Sequence, residues 1–432
     1  MENYFLILRN ILGRLVSPLS RLLVYLLVFI FIVLKVILLP FVNIKVSNLF
    51  TLRVGHLIGE NWLYAHENEL FPRSKREVHV FFINQKISNI FLTEWIRSQD
   101  WNCRRFFIHI PVISHILQNS YFSHSYEPVW YEINKLSQRS RILSKLDLIH
   151  VNKFQMRDFS YVKKLFTNKG CKPINFSFPN LAKLHRKTAL IFYRDESYLS
   201  SFAPNLYLQL NPPSNVRNNT WTDFKDITEM LISQDYNVIR MGRFKEGVEF
   251  SHPHFFDYGG SANVSAEKDV ELSLNSDLVL TSLTGLDVLP IIYFNKPTFC
   301  IHHGEINNLF VSTDNQSPIY YAPKLLPKSL RINRDTDNKF EDFITRYRNC
   351  TDLEPMDFEN IGKSLMNFLN TKDKNENLLT DQEAELNRLF WIELMKLEQR
   401  DYVVPGNHFD TTIIDSRWLK SHNLDRILLS DK

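Results

Sequence analysis

Three common signatures are missing from this sequence. It has no Gly-x-Ser-x-Gly elbow, no Gly-x-x-x-x-Gly-Lys-Ser/Thr loop and no Gly-x-Gly-x-x-Gly turn, which argues against the common hydrolase, nucleoside triphosphatase and dinucleotide oxidoreductase chemistries. Cysteine is scarce too. The four present, Cys103, Cys171, Cys300 and Cys350, show no Cys-x-x-Cys spacing, so neither a metal cage nor a disulfide framework is read and a reducing compartment is expected. A strong net charge is also absent, and the formal +4 over 432 residues is small for a nucleic-acid binder. The only Asp-x-Asp, at Asp335 and Asp337, sits in a polar run without the preceding buried strand that a metal site would want. His252, His254, His302 and His303 form no ligand-like set. No metal and no cofactor are therefore expected.

What is present is core material: 44% of residues are hydrophobic and 13% aromatic, ample for two or three domains in a chain of this length. The charge is unevenly spread. Residues 1–60 hold six Lys or Arg against Glu2 and Glu60, which accounts for the whole +4. Residues 22–42 carry one charge, Lys35, in 21 residues, about the length that crosses a bilayer as a helix, and Arg9, Arg14 and Arg21 precede it among aliphatic residues. No small-residue cleavage site follows. A membrane anchor over residues 1–45 is expected, either transmembrane or in the headgroup plane. Its basic flanks favour an inner-membrane location with the main body on the cytoplasmic side. A second basic run, 135–172, has ten Lys or Arg against Asp147 and Asp158. It fits an ordinary solvated face or a surface toward an anionic lipid or acceptor.

After the anchor, apolar runs at 78–83, 105–110 and 146–151 alternate with helical stretches and read as one α/β domain, 46–180. A polar, Pro-bearing stretch, 171–187, leads into a second domain, 188–375. It has runs starting at 188, 237, 254, 277 and 297 and helices at 222–234 and 266–275. Such alternation implies right-handed crossovers and a parallel sheet covered on both faces. The last region, 376–432, opens with an amphipathic helix that places Leu386, Leu389, Phe390, Leu394 and Leu397 on one side.

Ligands of parallel sheets bind at the carboxyl ends of the strands. Arg194 and Asp195 follow the first strand of the second domain, Arg240 and Gly242 end the next, and Thr281, Ser282, Thr284, Gly285 and Asp287 follow the strand "DLVLT". A helix starting near Thr284 would offer free backbone N–H groups and a positive dipole end, with Gly285 allowing close approach. This collection suits a phosphate or diphosphate. Arg194 and Arg240 are the candidates to grip it, because a guanidinium fork binds phosphate oxygens in pairs.

The same residues carry a resemblance. Arg194-Asp195, Arg217-Asn218 before a helix, "VIRMG" at 238–242 and the turn ending in Gly285, together with "RVGHLIGE" at 53–60 and "IIDSRWL" at 413–419, resemble a family of bacterial glycosyltransferases linked to surface polysaccharides. The likeness covers most of residues 50–425. It implies two facing Rossmann-like domains, a GT-B-like arrangement, with the acceptor held by the N-terminal half and a nucleotide-sugar donor by the C-terminal half. Under that reading Arg194 and Arg240 stabilise the departing nucleotide phosphate. Asp195, Arg217, Asn218, Gly242, Thr281, Ser282, Thr284, Gly285 and Asp287 bind or order the donor, and His56 or Glu60 serves as base toward the acceptor hydroxyl. The expected reaction is metal-independent transfer of a sugar to a glycan or lipid-linked acceptor at the membrane. Two alternatives stay open: a sugar-nucleotide epimerase of the same architecture, and a non-catalytic membrane-bound carbohydrate-binding or assembly protein.

Overall fold

The computed structural model describes residues 33, 37–38, 40–49, 77–83, 90–98, 104–108, 186–195, 218–245, 247–304, 306, 317–331, 339–371, 378–397 and 412–430. The chain divides into two units, Met1–Phe154 and Gln155–Lys432.

The first unit contains β1 (Asn43–Leu49), β2 (Glu77–Ile83), α1 (Ile90–Ser98) and β3 (Arg104–Ile108). Its three strands form a parallel sheet in the order β1-β2-β3, with Asn43 opposite Glu77 and Val78 opposite Arg104. The apolar runs at 78–83 and 105–110 correspond to β2 and β3, whereas β1 was not anticipated. The run at 146–151, His56 and Glu60 lie outside the described residues, as does most of 22–42. Among the described residues no helix is long and apolar enough to cross a membrane.

The second unit opens with β4 (Lys187–Phe192), α2 (Thr222–Ser233), β5 (Tyr236–Met241), β6 (Phe255–Phe256), α3 (Ala266–Asn275) and β7 (Leu278–Thr281). A π-helical turn (Leu289–Tyr293) follows, then β8 (Thr298–Ile301), β9 (Ile319–Ala322), α4 (Lys328–Arg331), α5 (Phe340–Asn349) and α6 (Phe358–Thr371). The chain closes with α7 (Asp381–Leu397), β10 (Thr412–Ile414), α8 (Ser416–Ser421) and α9 (Leu424–Ser430). Seven strands pair in the order β10-β9-β8-β7-β4-β5-β6, all parallel. This is a doubly wound, Rossmann-like sheet. The chain leaves β4 toward β5 and β6, then returns to the other side of β4 at β7, which makes the β4–β7 boundary the topological switch point.

The residues dictate this arrangement. All six residues of β5 are buried, as are all of β7, β8, β9 and β10, the continuous burial of strands covered on both faces. On α2 the buried positions are Phe224, Ile227, Thr228, Leu231 and Ile232, the spacing of a single helical stripe. The helix starts where the Thr220 N–H donates to the Asp223 carboxylate at 2.7 Å. On α6, Gly362 allows close approach: a Cβ there would lie 2.8 Å from the Met230 methyl on α2.

The C-terminal region contributes a strand as well as a helix. Asn387 and Trp391 on α7 serve β10. Asn387 accepts from the Ile414 N–H at 3.0 Å and donates to the Thr412 carbonyl at 2.9 Å, and the Trp391 indole N–H reaches the same carbonyl at 2.9 Å. The side-chain amide thus pairs with the outer edge of the sheet as a further strand would.

Candidate functional site

The switch point joins the ends of β4 and β7 directly. The Ser282 N–H donates to the Phe192 carbonyl at 3.0 Å, so Arg194 and the turn 281–287 leave the sheet side by side. Arg194, Asp195, Thr284 and Gly285 are half-buried, while Thr281, Ser282 and Asp287 are fully buried. The segment before α2 lies against the same edge: the Asn219 N–H donates to the Arg194 carbonyl at 2.8 Å, and the carbonyl of Asn218 accepts from Lys324 Nζ at 3.0 Å. The backbone at the end of β4 and the ammonium of the residue beyond β9 therefore bracket Asn218 and Asn219. Arg217 lies outside the described residues.

The turn differs from expectation. No helix starts at Thr284; the π-helical turn begins at Leu289. The backbone N–H groups are not free for an anion, because Asp287 takes them. Its carboxylate accepts from the Thr284 N–H at 3.0 Å and the Gly285 N–H at 2.7 Å, and also from the Thr281 hydroxyl, whose oxygen in turn accepts from the Leu283 N–H at 2.9 Å. Asp287 is an internal brace that fixes the turn with Gly285 at φ 111° and Leu283 at φ 62°. A carboxylate at that position occupies the donors that a phosphate would need.

Arg240 also has a different setting from the one its strand-end position implied. It is only 3% exposed. Its Nη1 donates to both oxygens of Asp257 at 2.8 and 2.9 Å, its Nε donates to the Tyr193 hydroxyl at 2.7 Å, and its guanidinium lies 3.5 Å over the Phe244 ring. Asp257 further accepts from the Val248 N–H at 2.9 Å and the Gly260 N–H at 3.0 Å. The pair therefore ties the loop after β5 to the loop after β6. Gly242, at φ 130°, makes room for this stack: a Cβ there would meet the Phe244 ring at 2.9 Å. Tyr193 is held between Phe224 and Phe244 at ring separations of 5.0 and 4.9 Å. Burial pushes its phenol up to about 12, against the opposing Arg240 charge. Arg240 thus orients Tyr193, the residue that precedes Arg194.

On the far side of this edge the sequence places His302 and His303 without a role, and it gives no sign of Lys324. His302 and His303 follow β8, and Lys324 follows β9; all three are buried. Burial drives the His302 imidazole down to about 4, opposed by Asp223 and assisted by Lys324. Burial likewise lowers the Lys324 ammonium from its usual range, with Asp223 opposing. The missing signal was β9: its four residues lie between Pro318 and Pro323, which masked the strand and hence the strand-end status of Lys324. Among the described residues no group of three or more His, Cys, Asp or Glu could hold a metal ion.

No protein-family model and no curated protein matches the chain. Solved structures give loose likenesses. Escherichia coli heptosyltransferase WaaC with ADP-2-deoxy-2-fluoro heptose is 10% identical over 65% of this chain and 93% of that chain, with a TM-score of 0.33. A Listeria monocytogenes protein described as a UDP-N-acetylglucosamine 2-epimerase is 11% identical over 79% of this chain and 99% of that chain, also at 0.33. The glycotransferase of kitacinnamycin is 9% identical over 57% and 63%, at 0.18. Scores this low leave the site to be read from its own residues.

Proposed function

We propose that this chain transfers a sugar from a nucleotide-sugar donor to a glycan or lipid-linked acceptor at the cytoplasmic face of the inner membrane. The observation that carries the reading is the meeting of the Arg194 backbone and the Lys324 ammonium at Asn218 and Asn219, beside the switch point of a doubly wound sheet. Strand-end crevices of that kind take phosphorylated ligands. Sugar transfer needs the negative charge that develops on the departing nucleotide diphosphate to be stabilised, and fixed cations in a partly dry crevice do this effectively. In this scheme Arg194 grips the diphosphate. Asp195, Arg217 and Asn218 order the donor, and Thr284 lines the crevice through its side chain. Arg240, Gly242, Thr281, Gly285 and Asp287 act as positioning residues that keep the edge rigid. His56 or Glu60 serves as base toward the acceptor hydroxyl, without a metal.

Membrane association rests on the apolar run 22–42 and its basic flanks, and on the exposed side chains of Val33, Ile37, Leu38 and Phe41. The test is to incubate the 432-residue chain with UDP-, GDP-, CMP- and ADP-sugars, with and without a bacterial lipid extract, and to follow nucleotide release and sugar incorporation. Lipid-dependent release with labelled lipid product is expected. Interconversion of sugar nucleotides without acceptor would favour an epimerase, and no turnover of any donor would reject the enzyme reading.

A further inference from the structure

The carboxyl ends of β7 and β8 carry buried polar groups that the fold does not use. Among the described residues, Ser282 Oγ and His302 Nδ1 have no hydrogen-bond partner, although Ser282 is 0% and His302 3% exposed. Leaving such groups unpaired is costly, so they call for an explanation outside the packing of the core. Backbone strain marks the same edge. Of the non-glycine residues at positive φ, Asp235, Asn295 and Asn423 lie within two residues after a helix or the π-helical turn, where left-handed backbone is ordinary. His302 instead directly follows β8, where no helix ends, whereas Leu283, two residues past β7, is held by the turn that Asp287 braces.

Lys324 completes the set and is held firmly. Its N–H donates to the His303 carbonyl at 3.1 Å, and its own carbonyl accepts from the Tyr347 hydroxyl at 2.7 Å and the Trp418 indole at 2.9 Å. Trp418 belongs to "IIDSRWL", so that motif fixes a cation at the sheet edge. The ends of β7, β8 and β9 span about 10 Å at normal strand spacing, the size of a sugar ring with an attached phosphate.

Chemistry narrows the ligand. His302 makes a hydrogen bond to the Asp223 backbone and is neutral at ordinary pH, so Nδ1 presents a lone pair and needs a donor. A phosphate oxygen brings none, but a hydroxyl does. Ser282 can give or accept, and Lys324 favours an anion. We propose that Ser282, His302 and Lys324 form a subsite that holds a hydroxyl-bearing sugar ring of the donor beside its phosphate. This rests on the nucleotide-sugar reading above. The ring is either the ribose of the nucleotide or the transferred sugar.

Calorimetry on the 432-residue chain tests this with UDP and ADP, their 2′,3′-dideoxy counterparts, and glucose 1-phosphate as probes. Ser282→Ala removes a hydroxyl that bonds to nothing in the fold, and His302→Asn keeps a residue that tolerates the left-handed backbone. Ser282→Ala is expected to melt no lower than the parent and His302→Asn, which gives up the bond to the Asp223 backbone and the contact with Phe224, to melt lower but still fold; both are expected to bind about 5- to 10-fold more weakly, the loss of one hydrogen bond. If the ring is the ribose, the deficit disappears with the dideoxy probes. If it is the transferred sugar, the deficit appears with glucose 1-phosphate. Parental binding of every probe by both variants would overturn the subsite while leaving the donor-site reading intact. Failure of the parent protein to bind any probe would overturn both.

Discussion

Arg194 and Arg240 look alike in the sequence, each closing an apolar strand, yet their surroundings give them different tasks. Arg240 is buried and neutralised by Asp257, and a buried pair that loses one partner leaves an uncompensated charge. Arg240→Ala is therefore expected to destabilise the protein by about 3 kcal/mol in denaturant unfolding, less than a fully buried pair would cost because Asp257 keeps two backbone donors. Arg194→Gln, half-buried at the crevice, is expected to change stability by less than about 1 kcal/mol while removing stabilisation by nucleotide. Equal destabilisation by the two variants would contradict this division. The strand-end rule located both arginines. It could not separate them, because the distinguishing group, Asp257, lies 17 residues beyond Arg240 and pairing across loops leaves no periodic trace.

At the scale of elements, the sheet depends on its last strand. β10 has three residues, too few for its pattern to stand out, and β9 was hidden by its flanking prolines; both become strands only through pairing with β8 and with each other. Longer elements such as α2, α3, β5 and α7 were legible because their apolar spacing is sustained. On α7 the face was read correctly at Leu386, Phe390 and Leu394, but Asn387 and Trp391 went unnoticed because their role is to serve β10. Asn387→Leu would leave the Ile414 N–H and one bond of the Thr412 carbonyl unmet. A loss of about 2–3 kcal/mol is expected in equilibrium unfolding, together with faster hydrogen exchange at Ile414. Asp415 closes the same edge, accepting from the Tyr320 and Ser364 hydroxyls and the Arg417 and Trp418 N–H groups at 2.9, 2.6, 2.7 and 3.2 Å. Asp415→Ala is expected to cost more than Asn387→Leu, since four donors lose one acceptor.

Across the whole molecule, buried titrating groups set the response to pH. His302 and His422 are each driven by burial to about 4, from an ordinary value of 6.5. Between those values the unfolded chain takes up protons that the folded chain refuses. Stability is thus complete above pH 6.5 and falls on acidification, by about 2 kcal/mol per histidine on reaching pH 5. At His422 burial comes with a hydrogen bond that only the neutral ring can make: its Nε2 accepts from the Leu326 N–H at 3.2 Å. Asp269 works in the opposite sense. Burial raises its carboxyl from 3.8 to about 6, so the folded chain holds a proton more tightly between those values and stability falls as pH rises through that window. Glu271, whose carboxyl burial raises to about 7, works in the same sense as Asp269, so the two carboxyls offset most of what the two histidines lose between pH 7 and pH 5. Asp269→Asn should therefore lose more stability than the parent from pH 7 to pH 5 and be more stable at pH 7 by about 2 kcal/mol; parallel profiles for variant and parent would contradict the assignment.

The most direct test of the donor crevice is an experimental structure of the chain with a nucleoside diphosphate bound. The expected result is a diphosphate in the crevice between β4 and β7, with phosphate oxygens within hydrogen-bond reach of the Arg194 guanidinium and Arg240 still paired to Asp257. A nucleotide bound at the opposite edge of the sheet, or at this edge without contact to Arg194, would contradict it.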